Sequence, residues 1–270
     1  MQTARGLLSL GILTLLAMGA GTVAPAAAQL TAEGIVSREQ LAFLRAARDF
    51  RADVSMRLVD REGRERRRKL TMLRLNTGGG ANQKYYIYFQ EPADVRGTAF
   101  LVWKYQDKDD DRWLFIPAVK LVMRVAAKDA QSSFVGSDFS YEDISGRDPG
   151  ADSYKLLREE EREGKNCYVV EAIPKVSSAF ARRVSWIDKE TFLPVREEYY
   201  DVQNQLAKVF TADEVKEVGG HPTVVRRTMR DVKREHHTEV VFENVSYDGG
   251  LDEGLFSERY LQKPPAKWIK

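Results

Sequence analysis

The stretch KYYIYFQ, residues 84–90, decides the fold because it is apolar on both faces of the strand that it predicts. Tyr85, Ile87 and Phe89 point to one side, and Tyr86 and Tyr88 point to the other. The next two segments, TAFLVWKY (98–105) and RWLFIPA (112–118), show the same pattern. Such strands are typical of a sheet that is covered on both faces.

The chain offers little helix to supply that cover. One helix is predicted at about residues 38–49, where Ser37 and Gln40 resemble a capping box, and a short helix or turn is predicted within 251–262. The sheet therefore either curls over its own core or leaves one face for an apolar ligand, as half-closed barrels do. A closed sandwich, in which the same aromatic residues are ordinary core, explains the pattern equally well.

The rest of the chain consists of short segments with period-two alternation and turn residues between them, which predicts an antiparallel sheet. No Pro- or Ser-rich linker divides these segments, so residues 29–270 are predicted to form a single domain. The further strand candidates are ADVSMRLVD (52–60), RKLTMLRLN (68–76), KLVMRVAAK (120–128), SYKLLREEERE (153–163), NCYVVEAIP (166–174), ARRVSWIDK (181–189), LPVREEYYD (193–201), KVFTADEVKEV (208–218), TVVRRTMRDV (223–232) and TEVVFENVSYD (238–248).

The N-terminus has the pattern of a secretory signal peptide. Arg5 precedes the apolar run LLSLGILTLLAMGAG (7–21), and Ala26 and Ala28 fit the small-residue rule for cleavage after Ala28. The run is shorter than the roughly 20 apolar residues of a spanning helix. Residues 1–28 are therefore predicted to be removed on export, which places the mature protein in the periplasm.

Composition and motifs argue against nucleic-acid binding and catalysis. The net charge of +2 provides no global field for nucleic acid. Gly136-Ser137-Asp138 lacks the flanking glycines of a nucleophile elbow, and the alternating aspartates at 107–111 lack the Gly and Glu of a calcium loop. Cys167 lies in a strand-like run and is predicted to be buried. We therefore predict no enzyme activity, no metal and no cofactor.

Two polar features have simple structural interpretations. The pair His236-His237 is predicted to be solvated at a hairpin, because adjacent strand residues point to opposite faces and cannot hold one metal. The basic run RERRRK (64–69) is predicted to be a charged hairpin end, and its functional alternative is contact with anionic lipid or an acidic partner.

Residues 94–144 resemble the outer-membrane lipoprotein-sorting proteins, the LolA-like superfamily. The resemblance rests on a Gly-Thr-x-Phe-Leu strand at 97–101, a Trp-Leu-aromatic-x-Pro strand at 113–117, and Phe-x-Gly-Ser-Asp-Phe-x-Tyr-Glu-Asp at 134–143. The signature positions are Gly97, Trp103, Trp113, Pro117, Phe134, Gly136, Ser137, Asp138, Phe139 and Tyr141. In this signature Asp138 is expected to accept backbone N–H bonds in its own turn, and the aromatic side chains of 134–141 are expected to pack beside the two tryptophans.

The resemblance implies a mainly β fold, a strongly curved unclosed antiparallel sheet (a half-barrel) with short helices covering its concave face. It also implies a carrier without catalysis that binds acyl chains of a lipid or lipoprotein and shuttles them towards the outer membrane. An inner-membrane exporter, an outer-membrane acceptor and a transient membrane surface are the implied partners. An accessory subunit of an envelope lipid exporter, without its own cargo, is the alternative. The candidate cavity residues are Met56, Met72, Tyr86, Tyr88, Phe100, Val102, Leu114, Ile116 and Met123.

Overall fold

The computed structural model describes residues 30–269, so the predicted signal peptide lies outside the described residues. The described chain is mainly β, with thirteen strands in one antiparallel sheet. The strands are β1 Asp49–Val59, β2 Glu65–Thr77, β3 Asn82–Glu91, β4 Ala99–Lys104, β5 Asp111–Ile116, β6 Leu121–Arg124, β7 Asp152–Arg162, β8 Lys165–Pro174, β9 Arg182–Asp188, β10 Pro194–Tyr200, β11 Leu206–Val218, β12 His221–Asp231 and β13 His236–Tyr247. Every strand candidate in the sequence corresponds to one of these strands.

The sheet consists of two meanders that meet in the middle. Its order is β6-β5-β4-β3-β2-β1-β13-β12-β11-β10-β9-β8-β7, so every pair except β1–β13 joins strands that follow each other in the chain. The edge strands β6 and β7 are not paired with each other, and the sheet is not closed. The predicted unclosed antiparallel sheet is therefore confirmed.

One face of the sheet is concave and holds the largest apolar cluster. Side chains from strands far apart in the sheet, such as Leu114 on β5, Met56 on β1 and Tyr199 on β10, belong to a single cluster. The opposite face carries separate clusters, one on β2–β5 and one on β8–β10. Residues of distant strands meet on only one side because the sheet curves around that side, as in a half-barrel.

The segment 125–151 runs from the edge strand β6 to the other edge strand, β7, and crosses the concave face. It contains the short helix α2 (Tyr141–Ser145), which begins with a capping box between Ser140 and Asp143. The ring of Phe134 lies 5.8 Å from that of Phe89 and 5.4 Å from that of Phe100, measured between centroids. This segment therefore fills the concave side of β3 and β4.

This packing contradicts the expectation that the aromatic side chains of 134–141 lie beside Trp103 and Trp113. The two tryptophans contact each other, with centroids 4.9 Å apart, on the convex face. Alternation along the strands explains the difference. Trp103 is adjacent to Val102, so its side chain points away from the face that holds Phe100 and Val102.

The helix α1 (Ala32–Leu44) lies over the concave face and begins earlier than predicted. Thr31 is its N-cap and accepts a hydrogen bond from the Gly34 backbone N–H at 3.1 Å. The predicted capping residues Ser37 and Gln40 lie inside the helix, so the predicted boundaries 38–49 are wrong. Burial of Ile35 and Val36 against Val170 and Ile187 of the sheet extends the helix towards the N-terminus.

The C-terminal segment covers the convex face of β2–β5 and includes the predicted short helix, α3 (Arg259–Gln262). Leu251, Phe256 and Leu261 are buried there. Tyr86 donates its hydroxyl hydrogen to the Tyr260 carbonyl, and Trp103 Nε1 donates to the Phe256 carbonyl, both at 2.7 Å. Each doubly apolar strand of the sequence is thus covered on both sides, by segment 125–151 and by the C-terminal segment.

None of the helices in the described residues combines the length and the apolar character that crossing a membrane requires.

Candidate functional site

Helix α1 and segment 125–151 leave two small cavities above the concave face. The first is about 60 Å³ in volume and is bounded by Glu39, Phe139, Glu197 and Tyr199. The second is about 50 Å³ and extends over Phe50, Met72, Tyr85 and Tyr247. Phe43, Leu44 and Arg227 belong to the walls of both, so these three side chains separate one cavity from the other.

Arg227, on β12, is a buried cation between aromatic rings. Its guanidinium carbon lies 5.7 Å from the ring centre of Phe43, 5.3 Å from that of Phe139 and 4.8 Å from that of Phe242. Only 7% of the residue is exposed, and within residues 30–269 its side chain has no hydrogen bond or ion pair. Burial lowers the pKa of Arg227 to about 10, so the side chain remains charged at neutral pH.

The opposite wall of the first cavity carries charges that are largely neutralised. Arg183 pairs with Glu197 at 3.3 Å, and Glu197 also accepts a hydrogen bond from the Tyr199 hydroxyl at 2.8 Å. Glu39, on α1, faces this pair. Burial, followed by the charge of Glu197, raises the pKa of Glu39 to about 8, so its carboxyl is mostly protonated at pH 7.

Helix α1 is fixed at both the cavity and the sheet. Gln40 Nε2 donates to the Arg147 carbonyl at 3.0 Å, and Gln83 Nε2 donates to the Leu44 carbonyl at 2.8 Å. Gly146 has φ +84°, and a methyl group at its α-carbon would overlap the Leu44 side chain. The last turn of α1 therefore rests directly on the backbone that ends α2.

The candidate cavity residues of the sequence are divided between the two faces. Met72 lines the second cavity. Met56, Phe100, Val102 and Leu114 are buried in the concave cluster.

The remaining candidates lie elsewhere on the sheet. Ile116 lies at the border of the concave cluster, and Met123 is exposed on the edge strand β6. Tyr86 and Tyr88 lie on the convex face under the C-terminal segment, so no single cavity includes them together with Met72. A ligand-binding role for any of these side chains stays a prediction.

Asp138 of the signature connects segment 125–151 to distant strands. Its Oδ2 accepts hydrogen bonds from Thr238 Oγ1 at 2.7 Å and from His236 Nδ1 at 2.6 Å, and its carbonyl accepts one from Lys208 Nζ at 2.8 Å. The expectation that this carboxylate accepts backbone N–H groups of its own turn is therefore wrong. His236 is buried rather than solvated, because its side chain points to the concave face while that of His237 points outward.

The other signature residues build the turns around this contact. Gly136 has φ +75°, which a glycine adopts without strain, and Ser137 Oγ donates to the Phe134 carbonyl at 2.8 Å. Gly97 has φ +87°, and a β-carbon there would lie 3.4 Å from Pro117 Cγ. Phe139 and Tyr141 are buried in the concave cluster.

The basic run at 64–69 belongs to the hairpin between β1 and β2. Arg64 pairs with Asp60 at 2.7 Å and Arg67 with Glu65 at 2.9 Å, while Arg68 is buried and donates to the Val135 carbonyl. The adjacent hairpin between β12 and β13 adds Lys233 and Arg234 to an open groove of about 820 Å³. The run is a charged hairpin end, as predicted, but one of its arginines belongs to the core.

Cys167 is buried, as predicted, and burial raises the pKa of its thiol to about 11. Within residues 30–269, no group of three or more His, Cys, Asp or Glu side chains is arranged to hold a metal ion.

The sequence-based reasoning missed Arg227 and Glu39. A signal for Arg227 is present, because Val225, Arg227 and Met229 occupy alternate positions of β12 and all three are buried. An arginine among apolar residues of one strand face indicates a buried charge. Glu39 was assigned to the predicted helix, but its position opposite Glu197 depends on tertiary packing.

Comparisons with known proteins agree with this fold. A family model described as "Uncharacterized protein" matches residues 81–263. A DUF1329 family protein from Desulfovibrio piger is 30% identical in sequence, and its crystal structure aligns with a TM-score of 0.80 over 86% of this chain and 98% of that chain. Among curated proteins, none matches this chain.

Two further crystal structures are similar. An outer membrane lipoprotein-sorting protein domain from Vibrio parahaemolyticus is 27% identical, with a TM-score of 0.80 over 86% of this chain and 98% of that chain. A LolA superfamily protein from Nitrosomonas europaea is 22% identical, with a TM-score of 0.67 over 86% of this chain and 100% of that chain. The second likeness concerns the fold alone.

Proposed function

This chain belongs to the DUF1329 family and has a LolA-like fold, and on that basis we propose that it is a periplasmic carrier of acyl chains. In this proposal a cleavable signal peptide exports it, and it moves a lipid or lipoprotein towards the outer membrane without catalysing a reaction. The name of the 27% identical relative, an outer membrane lipoprotein-sorting protein domain, supports this assignment.

The observation that carries the proposal is the pair of cavities that α1 closes over the concave face. Ligand pockets usually begin at roughly 300 Å³, so cavities of about 60 and 50 Å³ are too small for an acyl chain, and in this proposal they belong to a closed state. Phe43 lies between them and is only partly buried, with its ring 6.0 Å from that of Phe210. Displacing Phe43 and the last turn of α1 would join the cavities into one apolar channel.

The energetics suit reversible binding. Burial of an acyl chain contributes about 0.8 kcal/mol per CH₂ group. Part of this gain is offset by the loss of the α1 contacts, so a long chain can bind and still be released. The carrier would receive its cargo from an inner-membrane exporter and deliver it to an outer-membrane acceptor, and the basic groove of the two hairpins offers a transient contact with a membrane surface.

The arrangement around Ser137 supports a role without catalysis. Its hydroxyl donates to the carbonyls of Phe134 and Phe139, at 2.8 and 3.2 Å. His236, the nearby imidazole, is engaged by Asp138 rather than by this hydroxyl. A hydroxyl without a hydrogen-bonded base is a weak nucleophile.

The proposal is tested by following α1 during ligand uptake. Leu41 on α1 is 56% exposed, and the chain's single cysteine is buried, so Leu41→Cys accepts an environment-sensitive fluorophore at one site. We expect a non-fluorescent fatty acid such as palmitate to change the emission of this label in a saturable way. The matched control is Val202→Cys, which is 72% exposed between β10 and β11, far along the chain from α1, and its emission should stay constant.

A second experiment examines cargo directly. Organic extraction of protein purified from the periplasm should recover a lipid in proportion to the protein. Extracts without lipid, combined with an unresponsive label at position 41, would rule out the carrier role.

The filled concave face also favours a second candidate. A protein whose cavities total so little volume can act as an accessory subunit of an envelope lipid exporter without its own cargo. Recovery of a membrane transporter with the protein, in the absence of any bound or accepted lipid, would favour this candidate over the carrier.

A further inference from the structure

We propose that Arg227 binds the anionic head of the cargo, so that the cargo is an acyl chain ending in a carboxylate or a phosphate monoester. This inference rests on the proposed carrier function and specifies the chemical class of the ligand. It depends on the environment of one guanidinium group, on the acids around it and on the shape of the two cavities.

Arg227 differs from every other buried arginine on the concave face in having no acceptor among the described residues. Arg68 donates to the Val135 carbonyl, and Arg74 donates to the Ala46 carbonyl. Arg112 pairs with Asp110 at 2.6 Å. A buried charge without a partner is costly, and three aromatic faces compensate for only part of that cost. The N–H groups in the plane of the Arg227 guanidinium remain available for a ligand.

The acids near Arg227 are already engaged. Asp143 accepts the Ser140 backbone N–H at 2.7 Å as part of the capping box of α2. Glu142 pairs with Arg147 at 3.0 Å, and Glu197 pairs with Arg183. Glu39 is mostly protonated at neutral pH and can donate a hydrogen bond to an anion instead of competing with it. The charge of Asp143 acts on Arg227 without a direct ion pair, and the other acids are paired or protonated, so the guanidinium N–H groups remain open to an anionic head.

The geometry also fits a small head attached to a long tail. Arg227 lines both cavities, and the first one, at about 60 Å³, has room for a carboxylate or a phosphate but not for a large zwitterionic or sugar headgroup. The second cavity continues over Met72, Phe50 and Tyr247, an apolar path for the chain. When the anionic head binds, the Phe43 ring would move away from the Arg227 guanidinium. Recognition of the charge would thereby be coupled to the opening of the channel.

The test compares ligands that share a 16-carbon chain and differ only in the head. Palmitate and hexadecyl phosphate carry an anion, and hexadecanol does not. Their affinities for the full chain are measured by displacement of a fluorescent fatty alcohol, which binds without using the anion site. We expect the wild-type protein to prefer at least one anionic ligand over hexadecanol by about 100-fold, because the alcohol leaves the guanidinium unpaired.

The variants separate recognition from stability. Arg227→Met should abolish the preference for the anion while still binding hexadecanol, and its melting temperature without ligand should equal or exceed that of the wild type, because an unpaired buried charge has been removed. Arg227→Lys should retain part of the preference. The control Arg68→Met removes an equally buried arginine that has an acceptor, so it should lower the melting temperature without changing the preference.

The outcomes distinguish failure of the anion site at Arg227 from failure of the carrier function. A preference for palmitate alone identifies a carboxylate head, and a preference for hexadecyl phosphate alone identifies a phosphate head; either supports the inference. Equal affinity of the wild type for all three ligands, or an unchanged preference in Arg227→Met, would overturn the inference and leave the carrier function intact. Failure of the wild type to bind any of the three chains would overturn the carrier function and the inference with it.

Discussion

Asp138 is one of the residues that join segment 125–151 to the half of the sheet that contains β13. A single carboxylate oxygen accepts hydrogen bonds from Thr238 and His236, which belong to β13, and all three side chains are buried. Buried polar groups in such a network depend on one another, because removing one acceptor leaves two donors without a partner.

Asp138→Ala should therefore lower the free energy of unfolding by about 3 kcal/mol, since two buried donors lose their acceptor. Chemical denaturation measures this loss. The matched control is Asp213→Ala, because the exposed Asp213 also accepts hydrogen bonds from two threonine hydroxyls, both at 2.6 Å. The control should change stability by less than about 0.5 kcal/mol. Unchanged unfolding of Asp138→Ala together with lost lipid binding would instead assign this residue to the ligand.

Glu39 makes stability depend on pH. Its pKa is raised from 4.5 in the unfolded chain to about 8 in the folded protein, by burial and by Glu197. Between these pH values the folded state holds a proton that the unfolded state has lost, so this contribution to stability is fully present below pH 4.5 and is lost as the pH rises through 8.

Glu39→Gln removes the titrating group, so the decline of the melting temperature between pH 5 and pH 8 should become shallower than in the wild type. Thermal unfolding across that range measures the slope. Glu33→Gln, an exposed change on the same helix, should retain the wild-type slope. Identical slopes in all three proteins would show that Glu39 is not the group responsible.

At the scale of single residues, the sequence predicts which side chains of one strand share a face, but not whether that face is the concave or the convex one. Alternation correctly separates Tyr86 and Tyr88 from Tyr85, Ile87 and Phe89 of the same strand, because side-chain direction along a strand is a local property. The predicted cavity set nevertheless combined Tyr86 and Tyr88 with Phe100 and Val102, which lie on the other face. It does not reveal that the C-terminal segment covers one face and segment 125–151 the other, since both contacts are distant in sequence. Arg227 was overlooked because charged residues in strands are usually solvated.

Among the elements, α1 and α2 meet at one close contact. Leu44 of α1 lies against Gly146, which follows α2 with φ +84°. A methyl group at Gly146 would overlap the end of the Leu44 side chain, which would have to move, and the positive φ adds backbone strain. The contact is one of several that hold α1 over the concave face, together with the hydrogen bonds of Gln40 and Gln83.

Gly146→Ala should destabilise the closed state by about 2–3 kcal/mol, because a positive φ is combined with overlap against Leu44. The control Gly164→Ala has a similar φ of +74° with open space around the new methyl group, so it should cost about 1 kcal/mol. Denaturation gives both values. If α1 moves away to relieve the overlap, the label at position 41 should report the open form without ligand. Equal losses in the two variants would mean that Leu44 does not press on Gly146.

The helices were also the elements that the sequence predicted least well. Thirteen strands were recognised because alternation and turn residues are encoded locally. The start of α1 was misplaced because Ser37 and Gln40 satisfy the capping pattern, whereas the helix extends to Thr31 through burial of Ile35 and Val36 on the sheet. Tertiary packing outweighed the local signal.

For the whole molecule, we expect the segments that cover the two faces to make the sheet unfold as one cooperative unit. Leu261 of the C-terminal segment is fully buried against the convex face, opposite the cavities. The prediction that residues 29–270 form a single domain implies that damage to this cover is transmitted to the entire sheet.

Leu261→Ala should lower the free energy of unfolding by about 2–4 kcal/mol, because a buried side chain is truncated to leave a cavity. Tryptophan fluorescence and far-ultraviolet circular dichroism should shift together, as expected of one transition. Leu157→Ala, on the edge strand β7 where the side chain is exposed, should change stability by less than about 1 kcal/mol. Separate transitions for the two signals would contradict the single-domain prediction.

The pairing of β1 with β13 has a consequence for the nascent chain. Strand β1 cannot pair with β13 until nearly all of the sheet has been synthesised, because the other strands lie between the two in the sequence. Contacts of such high contact order form slowly, since the entropy of closing a long loop is lost before the contact is gained. Until β13 pairs with it, one edge of β1 is exposed to other polypeptides in addition to the sheet edges β6 and β7, so we expect the chain to aggregate more readily before this pairing than after it.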